Sequence, residues 1–160
     1  MEFKELFKMQ SELDNFIETT QNINRDVFKE KGLALMIELA ELANETRCFK
    51  FWSTKGPSER EVILEEFVDS IHFLLSLGNA KGLSLDAWPE VKAKEDLTNW
   101  FLRTQEAILT FIQNPAKNSY EVVWQYYGVL AYNLDFTLED IIQAYFAKNE
   151  KNYERQRTGY

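Results

Sequence analysis

Glycine and proline are so scarce along this chain that long helices are the architecture it most readily builds. Only 6 Gly and 3 Pro occur in 160 residues, and Pro57, Pro89 and Pro115 all fall between helix-periodic stretches, where they act as punctuation. The apolar periodicity predicts a first helix over roughly residues 2–20 and a second from about 25 to 53. A third is expected to open after Pro57, with Ser58 as N-cap and Glu61 completing a capping box, and to end near Gly78. Residues 79–95 carry Gly82 and Pro89 and read as a long connection. Later helices are expected near roughly 96–113, 118–134 and 137–153, the last capped by Thr137 with Asp140 in its first turn. No repeat, low-complexity segment or linker divides the chain, so residues 1–160 are expected to form one all-α domain.

Composition narrows the function classes. Hydrophobic residues make up 45% and charged residues 28%, which is a globular balance and not a disordered one. A formal net charge of -8 argues against a nucleic-acid binder, because a phosphate backbone demands an excess of Lys and Arg. It leaves room for a small phosphorylated ligand, since carboxylates hold metal ions that in turn hold phosphate. Cys48 is the only cysteine, so there is no internal disulfide. The amino terminus is amphipathic and charged, unlike a signal peptide, and no apolar run approaches a membrane span. The expectation is a cytoplasmic protein with neither membrane nor nucleic acid as partner.

The informative feature is a pair of carboxylate motifs. The second helix carries Glu38, Glu41 and Glu45, and the third carries Glu66 and Asp69. Residues three or four apart share a helical face, so each set forms an acidic stripe. A solvated face is the ordinary reading of such a stripe. Here Phe73 and Leu77 lie along the directions of Glu66 and Asp69, and Ile37, Cys48 and Phe49 flank the other stripe. Carboxylates aligned with apolar side chains belong at a core boundary, where unpaired charge is expensive. Two facing acidic stripes repel unless a cation neutralises them, and an all-oxygen donor set favours magnesium (Mg2+). Di-iron bundles pair such glutamates with a Glu-x-x-His motif; His72, the only histidine, follows Asp69 by three, which matches on one side alone.

Glu38-x-x-Glu41 followed by Glu66-x-x-Asp69 resembles the double metal motif of the all-α, MazG-like nucleotide pyrophosphatases. More specifically, the segment from Glu38 to Gly78, with Lys50-Phe-Trp52 and Asp69-Ser-Ile-His72, is similar to the dimeric dUTPases. The tail Tyr145-Phe-Ala-Lys148-Asn-Glu-Lys151-Asn152-Tyr-Glu-Arg155-Gln156 is similar to the carboxy-terminal motif of that family. The resemblance implies a MazG-like helical bundle with additional C-terminal helices, acting as a magnesium-dependent homodimer. It implies hydrolysis of dUTP, and of dUDP with it, to dUMP, with pyrophosphate leaving from dUTP. Glu38, Glu41, Glu66 and Asp69 would hold more than one magnesium ion. Glu41, by its place in the motif, would also help activate the attacking water, which is aimed at the β-phosphorus.

The tail can be read without the family. Lys148, Lys151, Asn152 and Arg155 share one helical face with Tyr145 beside them. That face either pairs with Glu150 and Glu154 or clamps a phosphate chain, to which Arg presents a fork of donors. Its polar character predicts a segment held weakly by packing, ordering only over bound substrate. Gln10 matches a family glutamine that reads the uracil edge, although Leu13 and Asp14 stand where the family often has asparagine. Trp52 shapes the base or sugar pocket or is core, and His72 lines the sugar site, supports Asp69 or is an ordinary buried histidine. Glu45 is a group behind the metal or is solvated. Trp88, Trp100, Phe101, Trp124, Tyr126 and Tyr127 exceed what one bundle face needs and are expected at the dimer interface. Two alternatives remain open: a pyrophosphatase for another nucleotide such as dCTP, and a helical interaction protein whose acidic stripes bind a basic partner.

Overall fold

The computed structural model describes residues 1–160 as six α-helices with no strands: α1 (Glu5–Thr20), α2 (Phe28–Thr46), α3 (Arg60–Ala80), α4 (Leu97–Gln113), α5 (Lys117–Asn133) and α6 (Leu138–Arg157). Helix α3 is the axle. Its second half, Ile71-His-Phe-Leu-Leu-Ser-Leu-Gly78, is apolar nearly all round, the pattern of a helix surrounded by others. It touches α1, α2 and α6, and Tyr120 of α5 donates its hydroxyl to the Leu74 carbonyl at 2.7 Å. Close approach there needs Gly78, because a Cβ would stand 2.1 Å from that same hydroxyl. Gly128 on α5 plays the matching part for the 81–96 connection, whose Pro89 carbonyl would lie 2.2 Å from a Cβ.

The aromatic excess turns out to be core. Trp88, Trp100, Phe101, Trp124 and Tyr127 are all buried within the single chain, with Tyr126 half-buried. The expectation that this set lies at a subunit interface is therefore corrected. The cause is the long connection, which carries Trp88 back onto Phe3 and Trp124 with ring centroids at 5.5 and 6.0 Å. Edge-on packing of this kind consumes the aromatic faces inside one bundle.

Three helix boundaries also differ. Helix α2 stops at Thr46, well short of residue 53, because Arg47 adopts a left-handed φ of 58° and folds its guanidinium onto the Lys55 carbonyl at 3.0 Å and the Ser53 hydroxyl at 2.9 Å. Ser58 does not cap α3. Its amide and hydroxyl both donate to Glu45, tying the loop back to α2, and Glu59 is the N-cap. Helix α6 starts at the expected Thr137 cap, which closes a capping box with Asp140, but runs on to Arg157. It is held there by α1: Tyr153 packs on Phe16 at 5.1 Å, and Gln21 donates to Gln156 at 2.8 Å. The polar tail is thus docked on the fold, against the expectation of a weakly held segment. No helix is long and apolar enough to cross a membrane.

Candidate active site

On α2 the buried stripe is Leu35, Leu39 and Leu42; on α3 it is Phe67, Val68, Ile71 and Leu75. Glu38, Glu66 and Asp69 occupy the borders of these stripes, so packing α2 against α3 brings them together at the edge of the core. Each contributes one oxygen to a group whose atoms lie within 4.8 Å of one another. Glu38 Oε2 and Glu66 Oε2 are buried without a hydrogen-bond partner. Burial, reinforced by the charges of Asp69 and Glu41, pushes both Glu38 and Glu66 up to about 7. Asp69 is also raised by burial, and Lys148 opposes the rise.

Lys148 reaches over from α6, its Nζ 3.0 Å from both Asp69 and Glu65. Burial works against its charge, but those two carboxylates outweigh it and hold its pKa above the ordinary value. One lysine does not neutralise the cluster, whose remaining oxygens fit a hard divalent cation. Glu41 lies on the exposed side of α2, outside the tight group of three, and adds its charge to Glu38 and Glu66. Glu45 accepts the Ser58 hydroxyl and serves the loop.

Beside the carboxylates opens a cavity of about 390 Å³, within the range of small-ligand sites. Glu38, Asp69, Lys148, Asn152 and Arg155 line it, as do Gln10, Asp14, His72, Ser76 and Tyr160. The cationic and amide groups of α6 therefore share one space with two of the acidic residues. The Arg155 guanidinium sits over the Tyr160 ring at 5.1 Å, which brings the last residue to the cavity wall.

Gln10 is buried, and its carbonyl oxygen is already engaged, accepting from Tyr145 Oη at 2.8 Å and lying 2.7 Å from His72 Nδ1. That leaves a single amide N–H for any ligand, because the other donates to Asp14 at 2.9 Å. His72 stacks on Tyr145 with centroids 4.2 Å apart, and burial, with Lys148 adding to it, pushes its pKa down to about 3. The ring is therefore neutral at any ordinary pH. Trp52 does not line this cavity; it is 64% exposed, on the loop after α2 beside Phe51. Ser76 and Lys31 belong to the site without having been singled out by any motif, and Asp14 was noted only as standing where the family often has asparagine. The i, i+4 spacing of Gln10 and Asp14 is a local signal for that pair alone, and nothing local points to Ser76 or Lys31.

The dUTPase family matches residues 2–160, nearly the whole chain. No curated protein matches significantly.

Proposed function

Since the chain belongs to the all-α dUTPase family and is a dUTP diphosphatase, we propose that it cleaves dUTP to dUMP and pyrophosphate with magnesium held by Glu38, Glu41, Glu66 and Asp69, all 160 residues acting as one domain. The observation that carries this reading is the group of three carboxylates, two with orphaned oxygens and two lining a cavity that also receives Lys148, Asn152 and Arg155. Bound there, magnesium would offset phosphate charge and acidify a water.

The chain's own groups divide the remaining work. Glu41, the most exposed of the four, accepts a proton from the attacking water. As the oxygen of that water bonds to the β-phosphorus, the bond from that phosphorus to the α–β bridging oxygen breaks, and dUMP departs with the bridging oxygen. Lys148, Asn152 and Arg155 donate to the phosphate oxygens on which charge builds. Gln10 and His72 meet the nucleoside, and the Tyr160 ring limits the entry of bulk water. dUDP retains the same bridging bond and is a second substrate.

A homodimer completes the proposal. With the aromatic set buried, support comes from other residues: Leu33 and Ile37 one turn apart on α2, Leu102 and Leu109 two turns apart on α4, and Phe51 and Trp52 on the loop, all exposed. Trp52 then shapes the site from that interface. Pyrophosphate release from each common nucleotide, with and without magnesium, tests the reading. dUTP is expected to be turned over fastest and only with the metal; metal-independent turnover, or a preference for dCTP, would overturn it.

A further inference from the structure

Away from the carboxylates, the cavity holds a hydrogen-bond network whose direction is set by an aspartate. Gln10 Nε2 donates to Asp14 Oδ1 at 2.9 Å, and Asp14 Oδ2 accepts from Ser76 Oγ at 2.6 Å with Lys31 Nζ 3.9 Å away. Gln10 Oε1 faces Tyr145 and His72 Nδ1 at 2.8 and 2.7 Å. The two orientations of a primary amide have nearly the same shape, so hydrogen-bonding chemistry decides between them. Turned over, Gln10 would set its carbonyl oxygen against a carboxylate oxygen. A carboxylate beside a lysine only accepts, so it admits one orientation, whereas an asparagine would admit both.

The consequence reaches the histidine. With a carbonyl oxygen opposite, Nδ1 must carry the proton, and in a neutral ring Nε2 is then a lone-pair acceptor. His72 Nε2 is buried and has no partner within the protein, while the residue lines the cavity. Stacking on Tyr145, with an interplanar angle of 15°, holds the ring in place. We propose that Asp14 is a positioning residue for nucleoside recognition: by fixing the Gln10 amide it holds His72 as the Nδ1–H tautomer, whose Nε2 takes an N–H or O–H donor of the substrate. The inference rests on the nucleotide reading above. The donor is either N3–H of uracil or the 3′-hydroxyl of deoxyribose. Cytosine has a lone pair at N3 and would set it against that of Nε2.

His72 is the only histidine, so nitrogen-15 spectra of the imidazole in the whole enzyme are unambiguous. A protonated Nδ1 and a pyridine-like Nε2 are expected. The opposite tautomer overturns the proposal without any variant, even in an enzyme that hydrolyses dUTP normally. The near-isosteric Asp14→Asn should show a mixture of tautomers and a KM for dUTP raised about tenfold at little changed kcat, the loss of one hydrogen bond. An unchanged tautomer with unchanged KM overturns it. Two further nucleotides identify the donor. If it is N3–H, Asp14→Asn loses about tenfold of its preference for dUTP over dCTP, and 2′,3′-dideoxyuridine triphosphate suffers as much from the substitution as dUTP. If it is the 3′-hydroxyl, that preference is unchanged and the dideoxy analogue is handled equally by both proteins. A wild type inert toward dUTP contradicts the substrate reading instead, and the tautomer measurement still decides the role of Asp14.

Discussion

Where α2 meets α3, Glu38, Glu66 and Asp69 crowd together, and Glu38 and Glu66 each keep an oxygen that nothing in the chain satisfies; where α1 meets α3 and α6, Gln10, Asp14, Ser76, His72 and Tyr145 hydrogen-bond one another almost completely. Both clusters contribute to the same cavity, but the first is only half-buried whereas most of the second is fully buried. The difference lies in what a ligand must bring. The first region is repulsive, with Lys148 as its one cationic partner, so it is suited to hold a cation. The second is complete apart from one lone pair and one N–H, so its geometry exists beforehand and selects among ligands. An enzyme that must bind a highly charged chain and also read a neutral ring gains from keeping these tasks apart.

The largest expected effect breaks the repulsive side. Glu41→Gln or Asp69→Asn should lower kcat by about 10³-fold or more, the scale seen when groups serving developing charge are removed. Neither should unfold the protein, and Glu66→Gln should raise apo stability, since it deletes one of the crowded charges. A folded variant keeping near-normal magnesium-dependent turnover would dissolve the contrast. Next in size, Arg155→Ala, or truncation after Glu150, should cut kcat by about 10²-fold while magnesium binding, followed by calorimetry, persists. Because α6 is docked through Tyr153 and Gln156, exchange-protected amides are expected along residues 148–157 in the apo protein as well.

A smaller effect concerns pH. Glu38 and Glu66 titrate near 7 in the folded chain against an ordinary 4.5. Between those values the folded state binds more protons than the unfolded one, so stability falls as pH rises through the window and levels off above it. The apo melting temperature should therefore be a few degrees lower at pH 8 than at pH 5, and saturating magnesium should remove the slope. His72, held at about 3 against an ordinary 6.5, contributes the opposite slope between those values. The carboxylate effect is therefore read above about pH 6.5, where a flat apo profile would mean that the carboxylates are already compensated. The smallest effect lies outside both clusters. Trp52→Ala should change chain stability by no more than about 0.5 kcal/mol, as for an exposed residue. Sedimentation of Phe51→Asp should show a weakened dimer, and a monomeric wild type at micromolar concentration would remove the interface proposal.

The two regions also differed in how far the sequence disclosed them. The acidic motif was legible because its information is local: Glu38 and Glu41, like Glu66 and Asp69, are one helical turn apart, and that spacing survives any tertiary arrangement. The six helices were legible for the same reason. What escaped depends on distant partners. Ser58 has the residue type and spacing of a cap, yet Glu45, on the preceding helix, claims its hydroxyl. Trp88 and Trp124 became core only because the 81–96 connection folds back onto α1 and α5. Asp14 joins Ser76 and Gln10 joins His72 across 62 residues of chain, a pairing that no periodicity encodes.

Helix α6 carries Tyr145, which donates to Gln10 in the hydrogen-bonded network, and Arg155, which lines the cavity and is proposed to meet the phosphates, on one rigid rod. Ten residue steps separate them, a rise of about 15 Å. With the nucleoside held at one mark and the phosphates at the other, as proposed, such a rod would work as a length gauge, because a ligand gripped at both must span the interval, and neither a free nucleoside nor free pyrophosphate does. Under the proposed function, scission of the phosphate chain turns one doubly anchored molecule into two singly anchored ones. Each then leaves with the affinity of its own anchor alone, and turnover continues without α6 having to move away.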